Sequence, residues 1–392
     1  MNILLATSFP SLPEWKGGMQ STVDGLALSL AERGHKVSLL CGLAEIDHGV
    51  SVSEAVWGLS EPGIRARWIM KLTHQKAARD RVMGYPVWRA KAPWEAMQWV
   101  IGQVKPDVIA LMVGHQVRMA LAARPAKIPL LMGLQAVEFG DHGGSFADLG
   151  NIPCIANSQF TADRYREAFG VEPRVIHPII DRKKYWTETT RENVTFINPH
   201  PFKGLDVALA VARHCPDIPF SFVQSWPLGA VEHRALVEQL AELPNVNLLP
   251  AVMDMRQIYG KCRILIAPSR WQEAYGRVVT EAQYSGIPVI ASNRGGLPEA
   301  VGSGGLLLAH NAPTGDWVSA AQRLWYDDAC YSVLSAAAYA HSKRPALNQV
   351  HQLDMWENTL FQVIEQHRRH SVSPSFVAHP LAQRSFSVSH QD

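Results

Sequence analysis

Cysteine is scarce and unpatterned in this chain: Cys41, Cys154, Cys215, Cys262 and Cys330 are odd in number and form no Cys-x-x-Cys pair. That excludes a disulfide framework or a zinc knuckle as the organising device. The thiols read as small buried hydrophobes in a reducing compartment. Charge of one sign is equally lacking. The 37 basic and 35 acidic side chains leave a net +2, which excludes a globally basic nucleic-acid binder but not a local basic patch. No apolar run approaches the roughly 18 residues that a membrane span needs. Met1–Thr7 has no basic n-region and too short an apolar run for a signal peptide, so a first buried strand is expected there. The expected location is the cytoplasm, with at most a peripheral contact at the inner membrane surface. A nicotinamide-type Gly-x-Gly-x-x-Gly fingerprint is missing too.

What is present is regular alternation. Of the 392 residues, 47% are hydrophobic, ordinary for a globular protein, and the length predicts two domains. Short runs apolar throughout alternate with helical patterns. The first half has Ile3–Ala6, Val37–Cys41, Val108–Leu111, Leu130–Gly133 and Cys154–Ala156. The second has Val194–Ile197, Phe220–Val223, Val246–Leu249, Ile264–Ala267 and Val289–Ala291. Such strands, buried on both faces, predict α/β architecture: two Rossmann-like domains with parallel sheets covered by helices. Ligands are then expected at the carboxyl ends of the strands, in the cleft between the domains. The expected bounds are 1–180 and 191–350, with a linker near Pro178–Trp186 and a disordered Ser/Pro/His/Gln-rich tail over 371–392.

One segment carries the most chemistry. The apolar strand ending at Ala267 leads into Ser269-Arg270-Trp271-Gln272-Glu273-Ala274-Tyr275-Gly276-Arg277-Val278, and Val278, Val279 and Ala282 continue as a helix ending near Gly286-Ile287-Pro288. Glu273 thus lies in a loop and Glu281 about a turn into the helix. A helix start at Gly276 offers unpaired amides to a diphosphate, and the glycine permits close approach. Glu281 and Glu273 would then accept hydroxyls on opposite sides of the phosphates, matching sugar, diphosphate and ribose in a row. Two solvated surface glutamates would show the same spacing.

The continuation Glu281-Ala-Gln-Tyr-Ser-Gly-Ile-Pro-Val-Ile-Ala-Ser, then Arg294-Gly295-Gly296-Leu297-Pro298-Glu299, favours the first reading. With the Glu-x7-Glu spacing it closely resembles the family 4 retaining glycosyltransferases, which have the GT-B fold. Further landmarks follow in that family's order: Gly17-Gly18, Arg33-Gly34-His35-Lys36-Val37, Pro106-Asp107-Val108-Ile109, Ala156-Asn157-Ser158-Gln159-Phe160-Thr161, Val175-Ile176-His177-Pro178, and Lys203-Gly204. The resemblance implies a hexosyl transfer from a nucleotide diphosphate sugar to a glycan, lipid-linked or small-molecule acceptor, as in polysaccharide biosynthesis, by a front-face mechanism without metal or cofactor. It assigns Glu281 to ribose, Glu273 to the donor sugar, and Lys203 with Gly276, Arg277 and Val278 to the phosphates. It also implies a last helix, 351–368, crossing back to the first domain.

Two departures stand out. Asn198 occupies a position where the family often has arginine, leaving phosphate binding to Lys203, the amides and Arg277 or His200. In the loop after Leu130–Gly133, Gln135 falls where relatives often place a cleft histidine. His142 lies further along and is the candidate replacement, with Glu138 and Asp141 beside it; His115 is a weaker one. The Gly17-Gly18 pair permits backbone approach to the donor. Between Arg65 and Lys91 lie eight basic residues against Asp80, with Trp68, Tyr85, Trp88, Trp94 and Trp99 in or beside them. An anionic membrane surface, a charged acceptor, or a solvated helix face would each account for that stretch. Two rival functions remain open: a sugar-nucleotide epimerase on the same fold, and a non-catalytic nucleotide-sugar-binding partner subunit.

Overall fold

The computed structural model describes residues 1–44, 61–226 and 228–372; the tail expected over 371–392 lies almost wholly outside the described residues. Both halves form α/β layers. The first sheet is built from β1 (Asn2–Pro10), β2 (Lys36–Gly42), β3 (Ala78–Asp80), β4 (Val87–Arg89), β5 (Val108–Leu111), β6 (Leu130–Leu134), β7 (Cys154–Ala156) and β8 (Arg174–Val175). Their order is β3-β4-β2-β1-β5-β6-β7-β8, parallel except for the β3–β4 pair. The second sheet holds β9 (Asn193–Ile197), β10 (Phe220–Val223), β11 (Val246–Leu249), β12 (Cys262–Ala267), β13 (Val289–Ser292) and β14 (Gly305–Leu308). It runs β11-β10-β9-β12-β13-β14, all parallel, the doubly wound order that reverses direction beside its first strand.

Helices cover both faces of each sheet. In the first domain, Leu4, Ile109 and Met132 face one core and Ile3, Leu5 and Val108 the other. The second of these cores is closed by the helix Gln349–Val372, which returns from the end of the chain and inserts Leu353, Trp356, Leu360, Val363 and Ile364. Its polar side is anchored by Arg33 Nη1, 2.6 Å from both Asp354 and Glu357, and by His35 Nε2, 2.8 Å from Glu357. The loops after β1, β4, β6, β9, β10 and β12 therefore all leave the carboxyl edges of their sheets.

The basic stretch does not form one exposed surface. Arg89 is fully buried, with Nε 2.7 Å from Asp80, Nη1 3.4 Å from Glu14 and Nη2 donating to the Leu12 carbonyl at 2.9 Å. Tyr85 and Trp88 are core residues. These three belong to packing, because β4 runs beside β2 inside the sheet. Trp68, Lys71, Lys76, Arg79, Arg81 and Lys91 remain exposed.

Candidate functional site

The loop from β12, Pro268–Gly276, meets the loop from β9 at one ion pair. Lys203 Nζ lies 2.6 Å from Glu273 Oε1, which also accepts from Ser269 Oγ at 2.9 Å. Backbone packing fixes that position. The Gly295–Gly296 turn lies flat against Glu273, and Gly296 N donates to the Glu273 carbonyl at 2.6 Å. Gly295 has φ +62°, and a Cβ there would stand 2.5 Å from the same carbonyl, so no other residue fits without displacing the loop. Gly276, at φ +98°, then starts the helix Arg277–Gln283.

That helix carries Glu281 inward rather than into an open pocket. Glu281 is only 5% exposed; it accepts from Tyr259 Oη at 3.0 Å and from Arg277 Nε at 3.3 Å. Burial pushes its carboxyl pKa up, partly offset by Arg277 and the Tyr259 hydrogen bond. Arg277 is likewise engaged, donating to Thr22 Oγ1 of the first domain at 3.1 Å and to Tyr185 Oη at 3.2 Å. In the described arrangement the two side chains hold each other and the domain junction. Val278 is half-buried against the core beneath the loop.

Asn198 directly follows β9. It is buried, its Oδ1 accepts from Trp226 N at 3.0 Å, and its φ of +66° is left-handed. Asparagine tolerates that conformation better than a long side chain, which gives a local reason for its presence there. The residue it positions escaped sequence reasoning. Trp226, in the loop after β10, places its ring 4.9 Å from Lys203 Nζ and 5.5 Å from the His200 ring. Burial lowers the His200 pKa, with the Lys203 charge adding to the effect and Glu232 opposing it.

The first domain closes over this group. A Cβ on Gly17 would come 3.6 Å from Trp226 Nε1, and one on Gly18 would come 3.5 Å from Arg277 Cδ, so the glycine pair faces both. Ser225 Oγ donates to the Lys16 carbonyl at 3.4 Å. Ser158 and Thr161 both donate to the Ala274 carbonyl, Thr161 at 3.1 Å. Gln135 is buried, and Glu138 is half-buried with its carboxyl pKa raised chiefly by burial, with Asp141 and Glu273 adding.

His142 is not part of this group. It is 4% exposed among Phe139, Phe146, Tyr165 and Phe169, with Nε2 3.0 Å from Tyr165 Oη. Desolvation lowers its pKa to about 4. The 3-10 turn Phe139–His142 rolls the imidazole into the core, so the histidine expected to reach the cleft is a packing residue. His115 is tied to Ser8, its Nδ1 3.1 Å from the hydroxyl, and stacks edge-on with Trp94.

Comparison with known proteins follows the same lines. The structure of Anabaena HepE in complex with UDP and glucose superposes with a TM-score of 0.71 at 20% identity, covering 92% of this chain and 99% of that one. Sucrose-phosphate synthase from Thermosynechococcus elongatus superposes at 0.67 and 15% identity, covering 95% and 100%. The chain has the GT-B fold. Within this GT-B chain, residues 194–327 match the family described as glycosyl transferases group 1, a span that includes Lys203, Glu273 and Glu281. D-inositol 3-phosphate glycosyltransferase of Rhodococcus opacus (strain B4) is 30% identical over 251 residues, 57% of this chain and 54% of that protein. The GT-B chain thus spans about half the length of the curated relatives it matches, and it resembles the family 4 glycosyltransferases.

Proposed function

We propose that the protein is a retaining, metal-independent glycosyltransferase that takes its sugar from a nucleotide diphosphate sugar. The observation that carries this reading is the Lys203–Glu273 pair, at the carboxyl ends of β9 and β12 and inside the segment matched to group 1 glycosyltransferases. In the proposed reaction the bond from the anomeric carbon to the diphosphate oxygen breaks and one to the acceptor oxygen forms on the same face. The acceptor proton passes to the departing phosphate. Lys203 stabilises the charge that develops there, which is where a transferase gains most. Glu273 exchanges the ammonium for hydroxyls of the donor sugar. Glu281 takes the ribose hydroxyls after releasing Tyr259 and Arg277. HepE was solved with UDP, so a uridine diphosphate sugar is the first donor to try.

The test is a thermal-shift screen with UDP-, GDP- and ADP-sugars on the wild type, Glu281→Ala and Lys203→Ala. Ligand at about 100 times its Kd adds roughly 2.7 kcal/mol of stability. One base class is expected to raise the melting temperature, with the rise lost in Glu281→Ala. Lys203→Ala is expected to lose turnover more than donor affinity. No rise with any nucleotide would overturn the reading and favour the non-catalytic partner subunit, an outcome to which the mutual engagement of Glu281 and Arg277 lends weight.

We further propose a cytoplasmic location with peripheral contact at an anionic membrane surface. Trp68 is 58% and Leu72 75% exposed, one turn apart on the helix Glu61–Thr73, with Lys71, Arg79 and Arg81 also exposed in this region. Among the described residues no helix is long and apolar enough to cross a membrane. Co-sedimentation at low salt with anionic but not neutral vesicles is expected, weakened in Trp68→Ala/Leu72→Ala. Equal recovery with both vesicle types would rule the contact out.

A further inference from the structure

Beside the first sheet lies a second feature that the donor reading does not use. A cavity of about 440 Å³ opens at the carboxyl edge of β4, lined by Arg67, Lys71, His74, Lys76, Lys91 and Glu95 among others. That size falls within the range of small-molecule sites. Four permanently cationic side chains face one carboxylate. Among the described residues neither Lys76 nor Lys91 has an ion-pair partner, although mutual repulsion disfavours leaving such charges together. The helix Pro93–Val104 begins at the same cavity with Ala92 as its N-cap, and no side chain caps it. Alanine is a poor N-cap, and the uncapped end adds its partial positive charge to that of the lysines.

The cavity is also connected to the proposed reaction site through buried polar contacts. Buried Arg89, two residues before Lys91, contacts Glu14 and the Leu12 carbonyl, and Glu14 Oε1 accepts from Ala44 N at 3.0 Å. Those contacts hold the loop that ends in Gly17 and Gly18, which face Trp226 and Arg277 across the cleft. A group seated on the lysines is therefore carried on the same frame as the first domain's share of the cleft.

We infer that this cavity binds an anionic substituent of the acceptor, a phosphate or a carboxylate on a sugar, and so makes the enzyme selective for charged acceptors; the word acceptor rests on the function proposed above. Lys76 and Lys91 supply charge-assisted hydrogen bonds, and Lys71 and Arg67 add to the field. Glu95 sets a limit, since an anion too close to it is repelled.

Titration calorimetry on the full chain at low salt tests this with glucose 6-phosphate, glucuronic acid and glucose as probes. Binding of the charged sugars and none of glucose is expected, falling about tenfold for each lysine removed in Lys76→Ala and Lys91→Ala. Binding of glucose 6-phosphate alone assigns the site to phosphate; binding of both charged sugars assigns it to anionic sugars at large. Equal binding of glucose, or undiminished binding by the Lys76→Ala/Lys91→Ala double variant, overturns the inference. Both lysines are exposed, so the variants keep their fold. The shift in melting temperature with UDP, measured on the same samples, reports the donor site separately. Anion binding without a UDP response keeps the cavity and removes the donor assignment, whereas a UDP response without anion selectivity does the reverse.

Discussion

A proton on His142 would sit among four aromatic rings with no carboxylate in hydrogen-bond reach, and that is why its pKa falls to about 4. The folded state therefore holds the ring neutral while the unfolded chain takes up a proton near pH 6.5. The stabilising contribution is complete above pH 6.5 and is lost as pH falls toward 4. Between pH 7 and pH 4.5 the loss amounts to about 2–3 kcal/mol at one pKa unit per 1.36 kcal/mol. His142→Phe keeps the aromatic cluster filled and leaves Tyr165 Oη its hydrogen bond to the Ala136 carbonyl at 3.0 Å. Urea unfolding of both proteins at the two pH values is expected to show the variant spared that loss. A parallel decline would mean that the ring is solvated and available to the cleft. Lys203 presents the opposite case. Half-buried beside Glu273 and Trp226, it keeps a partner that a diphosphate could replace.

At the scale of elements, what could be read from the chain follows burial. All ten strands expected from mainly apolar runs are present. Of the strands not read from the chain, β14 has an apolar run, Leu306–Leu308, and the other three have none. β3 has three residues and β8 two, while β4 carries Arg89, which looks like surface until Glu14 and Asp80 are seen beside it. β14, Gly305–Leu308, is an edge strand only half-buried. Site residues divide the same way. Lys203, Glu273 and the glycines around them stood out through residue type and spacing, and the structure brings Lys203 and Glu273 together. The Arg277–Glu281 pair has the i,i+4 spacing of a single helix, whereas the Asn198 bond to Trp226 and the inward turn of His142 depend on contacts between segments more than twenty residues apart, which spacing does not encode.

Across the whole molecule, the two domains are joined by polar contacts at the cleft and by one apolar weld outside it. The cleft contacts include Arg277 to Thr22, Ser225 to Lys16, Ser158 and Thr161 to the Ala274 carbonyl, His177 to Glu299, and Gln159 N to Glu299 at 2.8 Å. The weld is the helix Gln349–Val372, in which Trp356, 6% exposed, fills the first domain's core beside Ile3, Leu5 and Val108. Opening and closing on a donor can then proceed by breaking cleft contacts while the helix keeps the domains in register. Truncating a buried tryptophan costs about 3–5 kcal/mol, more than the cleft hydrogen bonds offset at roughly 1 kcal/mol each. Trp356→Ala is thus expected to lower the melting of the first domain alone and to split a shared calorimetric transition into two. The second domain, with its own cores around Phe196 and Val279, should melt where it did before. A variant that still melts in one transition at the wild-type temperature would show that the cleft, not the returning helix, couples the domains.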